Sequence, residues 1–499
     1  MVYTVVMEVI GVKTCDLKSD DITSTAFMNE RKFVTELKTF ISEKNKNFCA
    51  LVGPRKVGKT ICLMQLANWL RGSMETIYYD FKQHNNIENE TFLEKMEECF
   101  SKSIVFLLDE ITYLEDADIT LARIAQRAKG ACPGFKVVFT GSQPQAIRTW
   151  MHRYFSSDAF IVYCSFLGFD EWLKFQKKEP SYESYVDYVL NSAKFFKITD
   201  NREYLAGCID ETVISAAKSC NVIRELEDVD ENDVFNMIAF LYTALIKLHN
   251  GWKWESFLEI DRAVSSICGG FCGSRALVGT KFREKLKSRL LANYNTFKKV
   301  SLTKLRIYLR FLVRCDFIVF VINCSSDTSD NETFENRFKE WLWKGDNGLF
   351  KDPVDFFKQV TVCFKYPIFY YNLISDLVTE LDFKAEDFIG GNILGSILEC
   401  HVRGLYSYVR KTSIIPEFQT DAAEIDVVDD IYQRAIEITI SNKNTRQIHF
   451  KSLDDIDRFQ NYSKILLTRD IQGQSNGIIL IPFYEYVYEL SEETIIPVL

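Results

Sequence analysis

One stretch constrains the fold of this chain more than any other, residues 51–60 with the sequence LVGPRKVGKT. From Gly53 to Thr60 it follows the spacing G-x-x-x-x-G-K-[ST], the pattern of a phosphate-binding loop. Glycine lets the backbone curl so that successive N–H groups point at an anion, and a following helix adds its positive N-terminus. The flanking residues predict a buried strand over 47–52 and an amphipathic helix over 60–70. Strand, loop and helix in this order are what such a loop requires.

The loop has predicted roles for all its residues in holding a nucleoside triphosphate. We expect the binding residues to be Gly53, Pro54, Arg55, Lys56, Val57, Gly58, Lys59 and Thr60. Lys59 would bring a positive charge to the β- and γ-phosphates and take part in catalysis, and the Thr60 hydroxyl would ligate Mg²⁺. The alternative is an ordinary turn that happens to contain glycine.

A second motif supplies two acidic residues. Residues 104–110, IVFLLDE, predict a strand that is buried on both faces and ends in Asp109 and Glu110. We expect Asp109 to hold Mg²⁺ through water, and Glu110 to orient and deprotonate the attacking water. Residues 136–142 repeat the pattern. Thr140 or Ser142 would contact the γ-phosphate or position the water, and the alternative is a plain turn from strand to loop.

The alternation of elements predicts the fold class. Apolar runs at 76–81 and 160–164 predict two further strands, with helical segments between the strands. Such βαβ alternation gives a parallel sheet with right-handed crossovers, so the predicted class is α/β. A predicted helix over 30–42 would either form one wall of the adenine pocket or simply pack on the sheet.

Composition restricts the partners and the location. With 499 residues the chain is too long for one core, so two to four domains are expected. A formal charge of −9 argues against a protein that coats nucleic acid indiscriminately. No apolar run approaches the roughly eighteen residues of a membrane span, so no membrane partner is expected. The fourteen cysteines are scattered and the pair Cys268 and Cys272 lacks further zinc ligands, which predicts a reducing cytoplasm.

Four motifs together resemble one family, the archaeal-type P-loop ATPases within the AAA+/STAND-like NTPases. The motifs are GPRKVGKT, LLDEITYL, VVFTGS and SFLGFDEWL, and the resemblance covers about residues 25–175. It implies ATP as the nucleotide, with Mg²⁺, although the preference for ATP over GTP stays open. It also implies a helical lid, often a winged helix, and in many members a C-terminal domain similar to PD-(D/E)xK nucleases.

The chain departs from this family after the fourth strand. A Leu-Tyr-Gly-Arg-like stretch is usual there, whereas this chain has WMHRYF at residues 150–155. Arg148 and Arg153 are candidates for an arginine that reaches the γ-phosphate, within one subunit or across a homo-oligomer. Such an arginine contributes roughly 10³–10⁵ in turnover, and without one the protein would be a slow switch.

The middle of the chain is predicted to be helical and strongly basic. We divide the chain into an ATPase core at 1–175, a helical lid and winged-helix-like region at 176–325, a linker and helical connection at 326–385, and a nuclease-like domain at 386–499. Between Lys281 and Arg314 eleven Lys and Arg residues are opposed only by Glu284. This segment would bind double-stranded DNA, or it is a solvated basic face or a docking face for the acidic remainder of the chain.

The resemblance implies a second metal site in the C-terminal segment. Glu399 on a predicted helix, Asp426 on a strand and Glu437 on its hairpin partner match the helix Glu, strand Asp and E-x-K of the nuclease core. Three converging carboxylates would bind Mg²⁺ and activate water for phosphodiester cleavage. Thr439 occupies the lysine position, which puts cleavage in doubt, although Lys443 or Lys451 could reach in.

Two functional hypotheses follow. The first is an ATP-binding and hydrolysing switch coupled to a DNA-directed, nuclease-like domain, with a role in genome defence or mobile-element biology suggested by family analogy alone. The second is a signalling or scaffold NTPase whose C-terminal domain is catalytically inactive and binds a protein partner.

Overall fold

The structure is a computed structural model that describes residues 29–83, 89–155, 159–218, 229–250, 258–270, 279–324, 328–419, 424–441, 450, 453 and 456–493. The chain forms two compact units. The first contains the residues up to Glu171 together with Ala206–Asp230, and the second contains Trp172–Leu205 and Glu231–Thr494. Cys272, Lys443 and Lys451 lie outside the described residues.

A parallel five-stranded sheet forms the centre of the first unit. Its strands are Phe48–Val52 (β1), Glu75–Asp80 (β2), Ile104–Asp109 (β3), Phe135–Thr140 (β4) and Ala159–Tyr163 (β5). The helices of this part of the chain are Lys32–Ser42 (α1), Lys59–Leu70 (α2), Asn89–Glu97 (α3), Ala117–Arg127 (α4), Pro144–Tyr154 (α5) and Phe169–Gln176 (α6). Each of the five predicted strands is present within one or two residues of its predicted bounds, which confirms the α/β class.

The strand order is β2-β3-β4-β1-β5, and every neighbouring pair is parallel. Every residue of β1, β3 and β4 is buried, because the neighbouring strands and helices cover both faces of the sheet. Parallel strands bring their carboxyl ends to one edge. That edge therefore collects the loop after β1, the acidic pair after β3 and the turn after β4, with β4 lying between β1 and β3.

The second unit holds the remaining helices and two mixed sheets. The helices are Tyr182–Phe195 (α7), Asn201–Lys218 (α8, whose residues from 206 belong to the first unit), Asp233–Leu248 (α9), Leu258–Gly269 (α10), Thr280–Phe297 (α11), Leu302–Arg314 (α12), Thr328–Trp343 (α13), Pro353–Gln359 (α14), Pro367–Thr379 (α15), Gly391–Val409 (α16) and Phe483–Glu493 (α17). The strands are Ile318–Asn323 (β6), Val360–Phe364 (β7), Ile414–Gln419 (β8), Glu424–Ile425 (β9), Val427–Asp429 (β10), Arg434–Ile438 (β11), Ser463–Thr468 (β12), Gly473–Ser475 (β13) and Ile478–Pro482 (β14).

One of these sheets changes the predicted domain division. Its order is β7-β6-β8-β9, with β6 antiparallel to β7 and parallel to β8. Because β6 and β8 share one hydrogen-bonded ladder, the boundaries proposed at 325 and 385 cut through a single sheet. Helices α13 and α14 separate β6 from β7 along the chain, so the strand after α12 enters this larger sheet and does not form a short wing.

Helix α13 begins at Thr328, near the start of the segment predicted to be a linker and helical connection. The second sheet has the order β10-β11-β12-β14-β13 and contains the predicted hairpin of β10 and β11. No helix in the described part of the chain is both long enough and apolar enough to cross a membrane.

Candidate nucleotide-binding site

The loop between β1 and α2 has the backbone geometry that its glycines predict. Gly58 caps the N-terminus of α2 with φ of 90°, in the left-handed region that favours glycine. At Gly53 a Cβ atom would lie 2.0 Å from the carbonyl oxygen of Cys164, so no larger residue fits there. The neighbouring chain holds the end of β1, since the Cys164 N–H donates to the Val52 carbonyl at 2.7 Å.

Lys59 and Thr60 begin helix α2 at the edge of the sheet. The Lys59 amine is buried and donates to the carbonyl oxygens of Gly53 and Pro54 at 3.0 and 2.8 Å. The amine therefore lies inside the curl of the loop. The Thr60 hydroxyl hydrogen-bonds to the Asp109 carboxylate, which joins the phosphate loop to the end of β3.

Asp109 ends β3 and is almost fully buried. Its carboxylate accepts hydrogen bonds from the Tyr78 hydroxyl at 2.9 Å and from the Glu110 N–H at 3.0 Å. Burial raises the pKa of Asp109, and the hydrogen bonds from Thr60 and Tyr78 oppose this shift by stabilising the charged form. Hydroxyl and carboxylate oxygens are suitable ligands for Mg²⁺, so Thr60 and Asp109 fit the ion that the motif implies.

Glu110 points its carboxylate at the turn after β4. Its backbone has φ of 51°, an uncommon value outside glycine. The Ser142 N–H donates to Glu110 Oε2 at 3.0 Å, and the Ser142 hydroxyl lies 2.8 and 2.7 Å from the two carboxylate oxygens. Burial raises the pKa of Glu110, while the Lys59 charge lowers it. The structure thus brings together Glu110 and Ser142, which were both predicted to lie in the site. Thr140, the alternative to Ser142, is fully buried at the end of β4.

An arginine that the motif analysis missed contacts the phosphate loop from outside. The fully buried Arg31 guanidinium donates to the Val57 carbonyl at 2.6 Å and to the Ser165 carbonyl at 2.9 Å. Its Nε donates to Glu171 at 2.9 Å. Arg31 therefore fixes the backbone of the loop and the exit of β5 at once.

Glu171 supports this arginine and the start of α1. Its Oε1 also accepts the Lys32 N–H at 2.9 Å. Burial alone would raise the pKa of Glu171. The charges of Arg31 and Lys32 and the hydrogen bonds from both residues together outweigh burial, so the net shift is downward. Arg31 and Glu171 are 140 residues apart, so no local pattern in the sequence predicts that they form an ion pair. The sequence does indicate that Glu171 is of interest, because it belongs to the SFLGFDEWL motif.

Three charged residues meet beside the loop. Arg55 Nε lies 2.9 Å from Glu211 Oε1, and Lys82 Nζ lies 3.6 Å from the same oxygen. Glu211 lies on α8, outside the segment that resembles the ATPases, and neither it nor Lys82 was predicted. We call Arg55, Lys82 and Glu211 the Glu211 cluster.

The two candidate arginine fingers lie on α5. The Arg148 guanidinium lies 5.3 Å from the Tyr163 ring centroid, and that of Arg153 lies 5.9 Å from the Tyr154 centroid. Both side chains are exposed on the helix. Their predicted role at the γ-phosphate stays a prediction.

The C-terminal carboxylates differ from the expected metal site. Arg403 on α16 donates to Asp426 at 3.2 Å and to Glu417 at 2.7 Å, and it lies 3.8 Å from Glu399. The positive charge of Arg403 therefore already neutralises the carboxylates that were expected to bind Mg²⁺. Glu437 is fully buried on β11.

No group of three or more His, Cys, Asp or Glu side chains in the described ranges is placed to hold a metal ion. The described side chains of Glu399, Asp426 and Glu437 do not form such a group, and the expectation that they bind Mg²⁺ stays a prediction. The resemblance to a nuclease core rested on the spacing of acidic residues, which does not show the arginine between them. Thr439, in place of the usual lysine, is buried and donates its N–H to Leu467.

Comparisons with known proteins agree with the geometry of the first unit. Residues 45–173 match a family model described as an AAA domain. No curated protein matches the sequence. Similar solved structures include a DNA replication initiation factor, with 14% identity over 62% of this chain and 89% of that chain and a TM-score of 0.22. Cdc6p from Pyrobaculum aerophilum has 12% identity over 60% and 91%, with a TM-score of 0.24.

A further structure, DnaA from Aquifex aeolicus bound to AMPPCP, has 17% identity over 54% of this chain and 92% of that chain, with a TM-score of 0.21. These values are too low to transfer a function. Residues 45–173 are similar in sequence to AAA domains, and their strand order and phosphate loop are those of a P-loop ATPase fold.

Proposed function

We propose that the chain is a nucleotide-dependent switch that binds and hydrolyses ATP. The observation that carries this proposal is the hydrogen bond between Thr60 and Asp109, because it joins the phosphate loop to the acidic end of β3. The Lys59 amine on one side and the Glu110 carboxylate on the other complete the set of groups that phosphoryl transfer to water needs.

The reaction follows from what each side chain can do. The loop amides and the Lys59 amine bind the phosphates, and the amine exchanges the carbonyls of Gly53 and Pro54 for phosphate oxygens. Glu110 accepts a proton from the attacking water, and Ser142 fixes the direction of its carboxylate. Mg²⁺, held by Thr60 and through water by Asp109, would neutralise charge on the β- and γ-phosphates.

A phosphate-release assay tests this proposal. The wild-type chain should release phosphate from ATP only when Mg²⁺ is present, and Asp109→Asn should lose this dependence together with most of the turnover. Asp210→Asn is the control, since it removes an exposed carboxylate of α8. Turnover without Mg²⁺, or full turnover in Asp109→Asn, would contradict the proposed mechanism.

We propose double-stranded DNA as the partner of helix α12. Several lysines and arginines of the basic segment are already paired, including Lys287 with Asp261 and Arg289 with Glu380. Arg306 and Arg310 differ, because Arg306 Nε and Nη1 and Arg310 Nε are buried and make no hydrogen bond to a described residue. Their spacing of four residues places them on one face of the helix, where the charges of these partly exposed side chains would attract phosphates.

Salt-dependent binding tests the DNA partner. Replacing Arg306 and Arg310 by Gln should reduce the log–log salt slope by about one for each phosphate that the helix no longer neutralises. Lys287→Gln is the matched control within the same basic segment, because Asp261 already compensates its charge. If both variants bind DNA as the wild type does, the basic face has another role.

The Arg403 contacts favour the second hypothesis for the C-terminal segment, a catalytically inactive domain that binds a protein partner. Ile431 and Tyr432, in the turn between β10 and β11, are 73% and 55% exposed, which suits a contact with another protein. Plasmid DNA should remain intact with Mg²⁺ and the wild-type chain. Cleavage that disappears in Asp426→Ala would restore the nuclease interpretation.

We also propose the cytoplasm as the location. Every cysteine in the described part of the chain is a free thiol, and most of them are buried in the two units. Free buried thiols are typical of proteins from reducing compartments.

A further inference from the structure

The Glu211 cluster lies beside the phosphate loop, yet the mechanism above does not use it. Arg55 is part of the loop, Lys82 follows the carboxyl end of β2, and Glu211 faces both from α8. Arg55 also lies against the helix, because a Cβ at Gly207 would be 1.5 Å from its Nη1. Glycine at position 207 thus provides the space that the arginine occupies.

The carboxylate of Glu211 is only partly satisfied by these cations. Its side chain is 8% exposed, and its Oε1 takes both ion pairs. Its Oε2 is buried and accepts no hydrogen bond from a described residue. A buried carboxylate oxygen without a donor is costly, so this arrangement needs a reason beyond stability.

The charge of Glu211 acts on the catalytic edge of the sheet. Burial lowers the pKa of Lys82, but Glu211, Tyr113 and Glu110 together outweigh burial, so the net shift is upward. Arg55 belongs to the phosphate loop, and Lys82 follows the end of β2, where Asp80 pairs with Asp109 of β3. Both cations therefore lie at the edge of the sheet that carries the phosphate loop and the acidic pair.

We infer that Arg55 and Lys82 bind the terminal phosphate of the nucleoside triphosphate, and that Glu211 competes with this phosphate for both cations. This inference rests on the proposed function. Glu211 holds the two cations in the structure, and a γ-phosphate would offer them more negative charge than one carboxylate does. Movement of Arg55 away from Glu211 and Gly207 then makes the position of α8 depend on the nucleotide.

The inference makes a prediction specific to the γ-phosphate. Glu211→Gln removes the competing charge and frees two cations, so the affinity for ATPγS should rise by about 5-fold or more while that for ADP changes little. Lys82→Ala should weaken ATPγS binding more than ADP binding. In the double variant the effect of Glu211→Gln should be smaller than in the wild-type background, because the two residues act on each other.

Binding of ATPγS and of ADP, each with Mg²⁺, is measured by calorimetry on the full chain. Asp210→Asn is the matched control, because it removes an exposed carboxylate from the same helix and should change neither affinity. If Glu211→Gln fails to fold, Lys82→Ala decides, since its side chain is half exposed at 49%.

The inference is overturned if Glu211→Gln leaves the ratio of the two affinities unchanged, or if Lys82→Ala weakens both ligands equally. A wild-type chain that binds neither nucleotide would instead overturn the proposed function itself.

Discussion

Ser142 donates both its backbone N–H and its hydroxyl to the carboxylate of Glu110. This contact joins the ends of two neighbouring strands, β3 and β4. It fixes the direction of the carboxylate that is proposed to accept the proton from water. It also favours the charged form of Glu110 against the effect of burial.

Removal of the Ser142 hydroxyl should therefore change the pH dependence of ATP hydrolysis. Ser142→Ala loses a donor to the charged form, so the pKa of Glu110 rises further above its ordinary value of 4.5. A base with a higher pKa loses its active form at higher pH, and the acid limb of the rate profile should shift upward. Steady-state turnover between about pH 5 and pH 8 measures the shift. An acid limb at the wild-type position would show that Ser142 does not act on the catalytic base.

Glu110→Gln should separate binding from hydrolysis. The amide fills the same space but cannot accept the proton, so turnover should fall by about 10²–10⁴-fold. Affinity for ATP should stay within a few-fold of the wild type, because the loop amides and Lys59 are unchanged. Wild-type turnover in this variant would remove Glu110 as the base.

The Arg31 and Glu171 pair should contribute strongly to stability. Arg31→Met leaves a buried carboxylate without its cation, which typically costs about 3–5 kcal/mol in the free energy of unfolding. Chemical denaturation of the variant measures this loss. The double variant Arg31→Met with Glu171→Met should be more stable than Arg31→Met alone, because it removes the uncompensated charge. Equal stabilities of the single and double variants would contradict the pairing.

The same pair predicts how stability depends on pH. Because Arg31 lowers the folded pKa of Glu171 below its ordinary value of 4.5, the pair contributes fully above that value. Its contribution disappears as pH falls through the lowered folded value, where the carboxylate takes up a proton. The wild type should therefore lose more stability than Glu171→Gln between about pH 5 and pH 2. If the free energy of unfolding changes with pH in the same way for both proteins, Glu171 has no such role.

Gly53→Ala should abolish nucleotide binding. Its Cβ would lie 2.0 Å from the Cys164 carbonyl oxygen, well inside van der Waals contact, so the loop or the exit of β5 must move. Titration with a fluorescent ATP analogue measures the loss. Gly395→Ala is the control, since a Cβ there meets nothing within 4 Å. Wild-type affinity in Gly53→Ala would mean that the loop has another shape.

Local patterns in the sequence were sufficient to predict the centre of the first unit. The loop at Gly53–Thr60 and the strand that ends in Asp109 and Glu110 are contiguous segments, and their hydrophobic and glycine patterns determine them directly. The Gly-Ser turn at Ser142 follows an apolar strand, as the other motifs do. It was therefore correctly predicted to lie at the same edge of the sheet as those motifs.

Contacts between distant residues were not predictable in this way. Arg31 reaches Glu171 across 140 residues and Arg55 reaches Glu211 across 156, and neither distance leaves a local pattern. The C-terminal carboxylates are another case. Asp426 was predicted on a strand and lies between β9 and β10. The spacing did not show that Arg403 would contact its side chain.

Isothermal titration of the purified chain with ATP, in the presence and absence of Mg²⁺, tests the central claim most directly. Saturable binding that Mg²⁺ strengthens, and that Lys59→Ala abolishes, is the predicted result. The absence of any Mg²⁺-dependent heat with ATP in the wild-type chain would contradict the account.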